Sequence, residues 1–174
     1  MWRMDKKTYS WSYVVETQNY SVSFTGGSII VSDRKTKQLI KRIKGFTYLY
    51  TGAIKSDETQ FFALENGKHF YVYSLPGTEL IKRITLPRGF ASIDVAGFYS
   101  DDGKNIIIPA SRYVYDGGTQ TYQSSMMYFP TEVKTGYYEY VLCKYSSETL
   151  ELAEKEAVAD YSEFRKYRSK YEDE

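Results

Sequence analysis

The stretch Leu39-Ile40-Lys41-Arg42-Ile43 recurs as Leu80-Ile81-Lys82-Arg83-Ile84, 41 residues further along the chain. A second pair of stretches, residues 54–64 and 98–108, shares a Ser-Asp turn followed by a short apolar run, at an offset of 44 residues. Offsets of about 40–45 residues are the length of a four-stranded antiparallel unit. The chain therefore reads as a repeat of such units, and an all-β fold is expected.

Each unit divides into strands separated by turns. In the middle unit, residues 69–75 alternate between apolar and polar side chains, as a half-buried strand does. Asn66-Gly67 supplies the positive φ angles of a hairpin turn before this strand. We expect strands at residues 50–54, 61–64, 69–75 and 80–84. The pattern predicts these core residues: Leu39, Ile43, Phe61, Phe62, Val72, Leu80, Ile84, Ile106 and Ile108.

The third unit is interrupted. Residues 110–136 are rich in Ser, Thr, Tyr and Gly and show no clear period, and residues 137–145 look like a delayed third strand. The sequence thus predicts an insertion between two strands of this unit. A loop of this length in a compact domain is usually either functional or disordered.

These features resemble the WD40-like and YVTN-like β-propeller repeats. The resemblance rests on the Ser-Asp-Asp-Gly turn at residues 100–103, the Tyr/Val strand at 69–75 and the repeated Leu-Ile-Lys-Arg-Ile, and it covers about residues 10–158. It implies about three four-stranded blades, built as antiparallel meanders. Gly-His and Trp-Asp dipeptides are absent, so the buried Asp/His network of WD40 proteins is not carried over. Propellers host many unrelated activities, so the resemblance says little about function.

The blade-like units are placed at about residues 10–45, 46–88 and 89–158, followed by residues 159–174. Apolar side chains at helical spacing predict a C-terminal α-helix over 159–174; they are Leu150, Ala153, Ala157, Tyr161, Phe164, Tyr167 and Tyr171. For residues 149–157 the repeat favours a strand and the local propensity favours a helix, so both alternatives stand.

Composition limits the setting. The net charge is +1, although residues 1–44 carry a balance of +6 and residues 139–174 one of −4. A basic cluster around residues 34–44 is typical of a solvated face, so a nucleic-acid partner is disfavoured. The lone cysteine, the lack of a signal-peptide core and the lack of a long apolar run predict a soluble, cytoplasmic protein with no membrane partner.

Few residues suit catalysis. His69 is the single histidine and Cys143 the single cysteine, and nothing in the sequence places them together. Asp101-Asp102-Gly103 lacks the ligand spacing of a calcium loop and is interpreted as a turn. We therefore expect no catalytic residue, no metal site and no cofactor, and we predict that the chain is not an enzyme.

The insertion is the best candidate for a binding surface, since it combines rigid aromatic rings with adaptable polar groups. The predicted binding residues are Arg112, Tyr113, Tyr115, Asp116, Tyr122, Tyr128 and Phe129, next to Met126 and Met127. The alternative is a hairpin extension that covers a core edge. The predicted function is a non-enzymatic protein-binding module on a propeller-like scaffold.

Two alternatives to this function stay open: a propeller-type hydrolase or lyase, and an immunity or inhibitor protein that neutralises a partner enzyme. The oligomeric state is open as well. Three units fall short of the usual 4–8 blades of a closed propeller. Two chains joined into a ring, a helix that caps one end, or a fragment of a longer chain would each resolve this, and a capped monomer or a fragment is preferred.

Overall fold

The computed structural model describes residues 1–5, 10–65, 67–122 and 131–164, and within these ranges the regular elements are β-strands and one short 3-10 turn. Sheet A contains β1 (Trp2–Asp5), β2 (Ser10–Glu16), β3 (Tyr20–Thr25), β4 (Ser28–Asp33) and β5 (Leu39–Lys44). Sheet B contains β6 (Leu49–Ile54), β7 (Gln60–Glu65), β8 (His69–Ser74) and β9 (Leu80–Thr85). Sheet C contains β10 (Ala91–Ser92), β11 (Phe98–Tyr99), β12 (Asn105–Tyr122), β13 (Thr131–Ser146) and β14 (Leu152–Val158).

All strand pairs are antiparallel, and most strands that follow each other in sequence lie side by side. The all-β architecture of antiparallel sheets expected from the repeat is confirmed. No helix in the described part of the chain is long and apolar enough to cross a membrane.

One turn recurs in all three sheets. Just before the outer strand, Lys37, Thr78 and Leu150 adopt φ angles of 60°, 56° and 58°. The N–H of each donates to the carbonyl four residues earlier, at 3.0, 3.0 and 2.9 Å. The third sheet therefore ends as the other two do, and the open question about residues 149–157 is settled by strand β14 (Leu152–Val158).

A second recurring turn corrects the alignment of the repeat. Asp57 Oδ1 accepts the N–H of Thr59 at 3.0 Å, and Asp102 Oδ1 accepts the N–H of Lys104 at 3.0 Å. These two aspartates are equivalent, so the offset here is 45 residues rather than the 44 obtained by matching the Ser-Asp pairs. The equivalent position in each repeat is the aspartate whose carboxylate accepts an N–H of the turn.

The core lies in the two seams between the sheets. Phe61, Ala63 and Tyr73 of sheet B pack with side chains of sheet A, whereas Phe62 and Phe70 pack with side chains of sheet C. Sheet B is thus buried on both faces, which explains the uninterrupted apolar run in β7.

Sheet A approaches sheet B closely at one glycine. A Cβ on Gly52 would lie 2.3 Å from the ring of Phe24 and 2.3 Å from the carbonyl oxygen of Phe62. Only a residue without a side chain fits this site, because both neighbours belong to the packed core.

Hydrogen bonds from side chains connect neighbouring sheets across both seams. The carboxylate of Glu58 accepts the backbone N–H of Asn19 at 2.9 Å and its side-chain amide at 2.6 Å, which joins sheet A to sheet B. Gln60 Nε2 donates to the carbonyl of Ser147 at 2.9 Å, which joins sheet B to sheet C. Because the Gln60–Ser147 contact is buried, it is costly to break and holds the seam in register.

The predicted core is mostly confirmed, with two errors. Among the predicted residues, the buried ones are Phe61, Phe62, Val72, Ile84, Ile106 and Ile108. Ile43 is half-buried. Leu39 and Leu80 are 59% and 54% exposed, so their assignment to the core is wrong. Both begin an outer strand, β5 or β9, at the open edge of a sheet, where no further strand covers them.

The two end faces of the stack differ. On sheet C, the outward face carries Leu142 and Val158, and Phe164 covers them with none of its own surface exposed. On sheet A, Val22 and Phe24 face inward, so Ser21 and Ser23 lie on the outward face, where Ser23 pairs with Val14 and Ile30. The outward face of sheet A thus combines serine with aliphatic side chains, whereas the outward face of sheet C is apolar and is covered by Phe164.

The prediction of a C-terminal α-helix over residues 159–174 is wrong for residues 159–164, the part that the structure describes. The structure has a 3-10 turn, Tyr161–Phe164, and residues 165–174 lie outside the described ranges. A single turn is enough to place Phe164 against sheet C, and this tertiary contact overrides the helical propensity of the surrounding sequence.

Candidate functional site

Strands β12 and β13 continue far beyond the body of sheet C. β10 pairs with β12 only as far as Ser111, and β14 pairs with β13 only as far as Tyr140. Past these points, residues 112–122 and 131–139 pair with each other alone among the described strands. We call this two-stranded segment the arm. Its eight paired positions give it a length of about 26 Å.

The arm is an elongated hairpin of the repeat. It joins β12 to β13 as the short turn after Glu65 joins β7 to β8 in sheet B. The described part of the predicted insertion 110–136 is therefore paired strand rather than an irregular loop. Its side chains show no alternation because both faces of the arm are in water, which removes the signal that a half-buried strand carries.

A row of aromatic rings runs along one face of the arm. The ring centroids of Tyr115 and Tyr113 are 5.0 Å apart, and those of Tyr113 and Tyr138, which face each other across the hairpin, are 5.1 Å apart. Tyr138 then stacks on Tyr140 at 6.1 Å, and Tyr140 meets Phe164 at 5.9 Å. We call these rings, from Tyr115 to Tyr140, the tyrosine ladder. It connects the arm to the apolar end face of sheet C.

The ladder is open to solvent along its outer part. Tyr115 is 63% exposed, Tyr138 57% and Tyr113 38%. A contiguous exposed aromatic surface on a folded protein is typical of an interaction site. A two-stranded ribbon with both faces solvated is also marginally stable by itself, so an additional contact surface would stabilise it.

Arg112 fixes the base of the arm. Its Nε donates to the Glu139 carboxylate at 2.5 Å, and its guanidinium lies 4.9 Å from the ring centroid of Phe90 in the body. The hydrogen bond from the guanidinium to Glu139 raises the pKa of Arg112. The charge is thus held on the face opposite the ladder, where it orients the arm.

Asp116 shapes a bend in the arm. At this point three residues of β12 oppose one residue of β13, a β-bulge, and Gly117 takes a φ angle of 85°. Asp116 Oδ1 accepts the hydroxyl of Thr135 at 2.7 Å and the N–H of Gly118 at 2.8 Å. The hydrogen bond from Thr135, followed by the one from Gly118, lowers the pKa of Asp116. Bulges of this kind re-aim a strand pair.

The predicted binding residues therefore divide into groups. Tyr113 and Tyr115 come together in the ladder, Arg112 and Asp116 position the arm, and Tyr122 is exposed where the described part of β12 ends. Tyr128 and Phe129, with Met126 and Met127, lie outside the described residues.

Sequence reasoning missed the half of the ladder that β13 contributes. Tyr138 and Tyr140 alternate within Gly136-Tyr137-Tyr138-Glu139-Tyr140. The same spacing in Tyr113-Val114-Tyr115 is the signal that would have paired the two stretches as facing strands.

Residues considered for catalysis lie apart from the arm. Cys143 is fully buried in the seam between sheets B and C, and burial raises the pKa of its thiol to about 11. His69 Nδ1 lies 3.0 Å from Thr85 Oγ1 on the neighbouring strand. Within the described ranges, no three His, Cys, Asp or Glu side chains are grouped so as to hold a metal ion.

A cavity of about 550 Å³ lies where the inner strands of the three sheets converge. Its charged lining includes Arg3, whose Nη2 donates to Glu16 Oε2 at 3.1 Å, and Arg34, whose Nη1 donates to the carbonyl of Thr17 at 2.8 Å. Both guanidinium groups of this lining are already hydrogen-bonded within the chain, whereas the outer rings of the arm are exposed.

Comparisons with known proteins bear on the fold alone. No family model and no curated protein matches the sequence. Among solved structures, hydrazine synthase from Kuenenia stuttgartiensis is similar over 90% of this chain and 42% of that chain, with a TM-score of 0.57 and 14% identity. The β-propeller domain of Myceliophteria thermophila Cps50 (Swd1) is similar over 86% of this chain and 56% of that one, with a TM-score of 0.46 and 9% identity. The chain spans about half the length of these two structures. At 14% identity, the similarity to hydrazine synthase concerns the fold alone.

Proposed function

We propose that the chain is a non-enzymatic protein-binding module whose arm docks a partner protein. The observation that carries this proposal is the tyrosine ladder, which is exposed along an arm that pairs with no other described strand. The partner surface that suits it is apolar at its centre and polar at its edge, since tyrosine combines an apolar ring with a hydroxyl tip.

The arrangement of the rings supports binding. Tyr113 lies edge-to-face with both Tyr115 and Tyr138, so the three rings are ordered before a partner arrives. A pre-ordered surface loses little conformational entropy when it is bound, and tyrosine has few rotatable bonds to immobilise. Arg112 and Asp116 add to this order by fixing the base and the bend of the arm.

A hydrolase or lyase function has less support. The thiol of Cys143 is buried, and a raised pKa keeps it protonated at neutral pH, which is the reverse of an activated nucleophile. An immunity or inhibitor protein is a special case of partner binding, in which the arm would dock on an enzyme, and the experiment below would identify such a partner.

Site-specific photo-cross-linking tests the proposal. A benzophenone amino acid replaces Tyr115 on the ladder in one variant, and Tyr48 in a matched control, since Tyr48 is also half exposed but lies on the body. After irradiation in the native host, we expect the variant at 115 to form a discrete adduct with another protein and the variant at 48 not to form it. Identical adducts from both positions, or none at 115, would refute docking through the arm.

A second variant separates binding from folding. Tyr115→Ser combined with Tyr138→Ser removes two exposed rings and their contacts with Tyr113 and Tyr140, all of which lie outside the buried seams, so the free energy of unfolding should fall by no more than about 2 kcal/mol. The adduct formed from a benzophenone at position 113 should then disappear while the melting temperature stays near that of the parent.

A further inference from the structure

The repeated pentapeptide forms two equivalent outer strands. Residues 39–43 in β5 and 80–84 in β9 follow the same turn and stand at the open edge of sheets A and B. In both, the first two side chains are exposed; they are Leu39 and Ile40 in β5 and Leu80 and Ile81 in β9. In the described part of the chain, β5 pairs only with β4, and β9 only with β8. One side of each backbone is therefore open.

The charges of the two strands are used differently. In β9, Lys82 forms an ion pair with Glu151 of sheet C, and the guanidinium of Arg83 lies 5.6 Å from the ring centroid of Tyr71. In β5, Lys41 and Arg42 are exposed and form no ion pair with any residue in the ranges that the structure covers. In β9 one cation is thus paired with a carboxylate and the other lies near an aromatic ring, whereas the corresponding two cations of β5 are exposed without an ion pair among the described residues.

We propose that β5 is a docking edge for an acidic, extended segment of another protein, which adds to sheet A as a further strand. The main chain of such a segment would pair with the open N–H and C=O groups of β5. Ile43 packs against the core and Arg42 and Lys44 alternate with it, so the two cations share the other face of the strand. A segment that alternates Glu with Val would place carboxylates beside Arg42 and Lys44 and an apolar side chain beside Ile43.

Other occupants fit this edge less well. Lipid hydrocarbon offers no hydrogen bonds, so insertion into a membrane would bury the open backbone groups without partners. A second copy of this chain presents an acidic outer strand, β14, but Lys144 already holds its Glu154 and Glu156 at 3.0 and 2.5 Å. The basic β5 and β9 of a second copy would be repelled.

The test uses a fluorescein-labelled peptide of eight residues that alternates Glu and Val, titrated with the full chain at low salt and followed by anisotropy. Arg42→Glu is compared with Arg83→Glu, which changes the same position of the same pentapeptide. We expect Arg42→Glu to weaken binding about tenfold, since it replaces an attraction by a repulsion, and Arg83→Glu to weaken it less than about twofold. Equal effects of the two variants, or no binding to the parent chain, would overturn the proposal.

Two further measurements test whether the segment binds β5 by strand addition and which class of partner binds there. Peptides N-methylated at alternate positions test strand addition, because only one set of N–H groups faces β5. One of the two peptides should lose binding and the other keep it, whereas equal binding of both would overturn strand addition. Anionic phosphatidylserine vesicles that bind in an Arg42-dependent manner, or an Arg42-dependent dimer in sedimentation equilibrium, would assign the edge to a lipid surface or to a second copy and would refute the proposed occupant.

Discussion

Replacement of Phe62 with alanine tests where the core of this fold lies. Phe62 has no exposed surface in the seam between sheets B and C, and its ring meets Phe70 at 6.1 Å and Tyr99 at 5.5 Å. Burial of a phenylalanine side chain contributes about 1.5–3 kcal/mol, and each aromatic pair adds about 0.5–1.5 kcal/mol. The neighbours belong to two hydrogen-bonded sheets and cannot close the cavity, so the total loss should reach about 3–5 kcal/mol.

The matched control is Leu80→Ala. Both residues follow the apolar pattern of the repeat, but Leu80 lies on the exposed edge strand β9, and its loss should cost less than about 0.5 kcal/mol. The free energy of unfolding is measured by guanidinium denaturation with tryptophan fluorescence and circular dichroism. A loss below about 1 kcal/mol for Phe62→Ala, or one above about 2 kcal/mol for Leu80→Ala, would show that the seam and the edge are assigned the wrong way round.

Two more perturbations follow from the structure. Partial burial raises the pKa of Asp57, but hydrogen bonds from Lys55 and Thr59 outweigh it and bring the pKa to about 2, from a usual value of 3.8. Its contribution to stability is therefore present above pH 3.8 and is lost as the pH falls towards 2, so thermal melts of the parent and of Asp57→Asn should converge over this interval. Phe164→Ala uncovers Leu142 on the end face of sheet C and should lower the free energy of unfolding by about 3 kcal/mol. The melting temperature should then fall by about 6–12 °C. A melting temperature equal to that of the parent would show that Phe164 does not cover this face.

Much of the scaffold could be predicted from internal repetition. The recurrence of Leu-Ile-Lys-Arg-Ile located two outer strands, and the pattern at 69–75 located β8, because strand period and turn residues are local properties. Burial is not local. Leu39 and Ile43 belong to the same strand, yet only Ile43 reaches the neighbouring sheet, and a strand at the edge of a sheet has no covering layer for its remaining apolar side chains.

The candidate site was located by its composition but not by its geometry. Tyr113 and Tyr115 could be named because aromatic residues concentrate in the stretch, while Tyr138 was placed in the strand that follows it. Pairing of the two stretches depends on the register of a long hairpin, and the bulge at Asp116 shifts that register within the arm. When neither face of a strand is buried, its sequence pattern does not indicate such a shift in register.

The same absence of a buried face explains why the sequence left both strand and helix open for residues 149–157. Ala153 and Ala157 are four residues apart, which places them on one face of a helix and equally on one face of a strand. Strand β14 is exposed along most of its length, so its sequence is free to contain good helix formers, and pairing with β13 decides the outcome. Local propensity is a weak guide where the neighbouring strand supplies the hydrogen bonds.

The end faces of the three packed sheets bear on whether two copies of the chain could join into a ring. In a ring of two copies, sheet A of one copy would have to pack on sheet C of the other. The outward face of sheet A presents Ser21 and Ser23 beside Val14 and Ile30, and the outward face of sheet C is already occupied by Phe164. Ring closure would therefore displace a fully buried phenylalanine and replace its contacts with contacts to a face that mixes serine with valine and isoleucine. Because burial of apolar surface drives association, we expect Phe164 to stay on sheet C, and a capped chain therefore remains our preferred proposal over a ring of two copies.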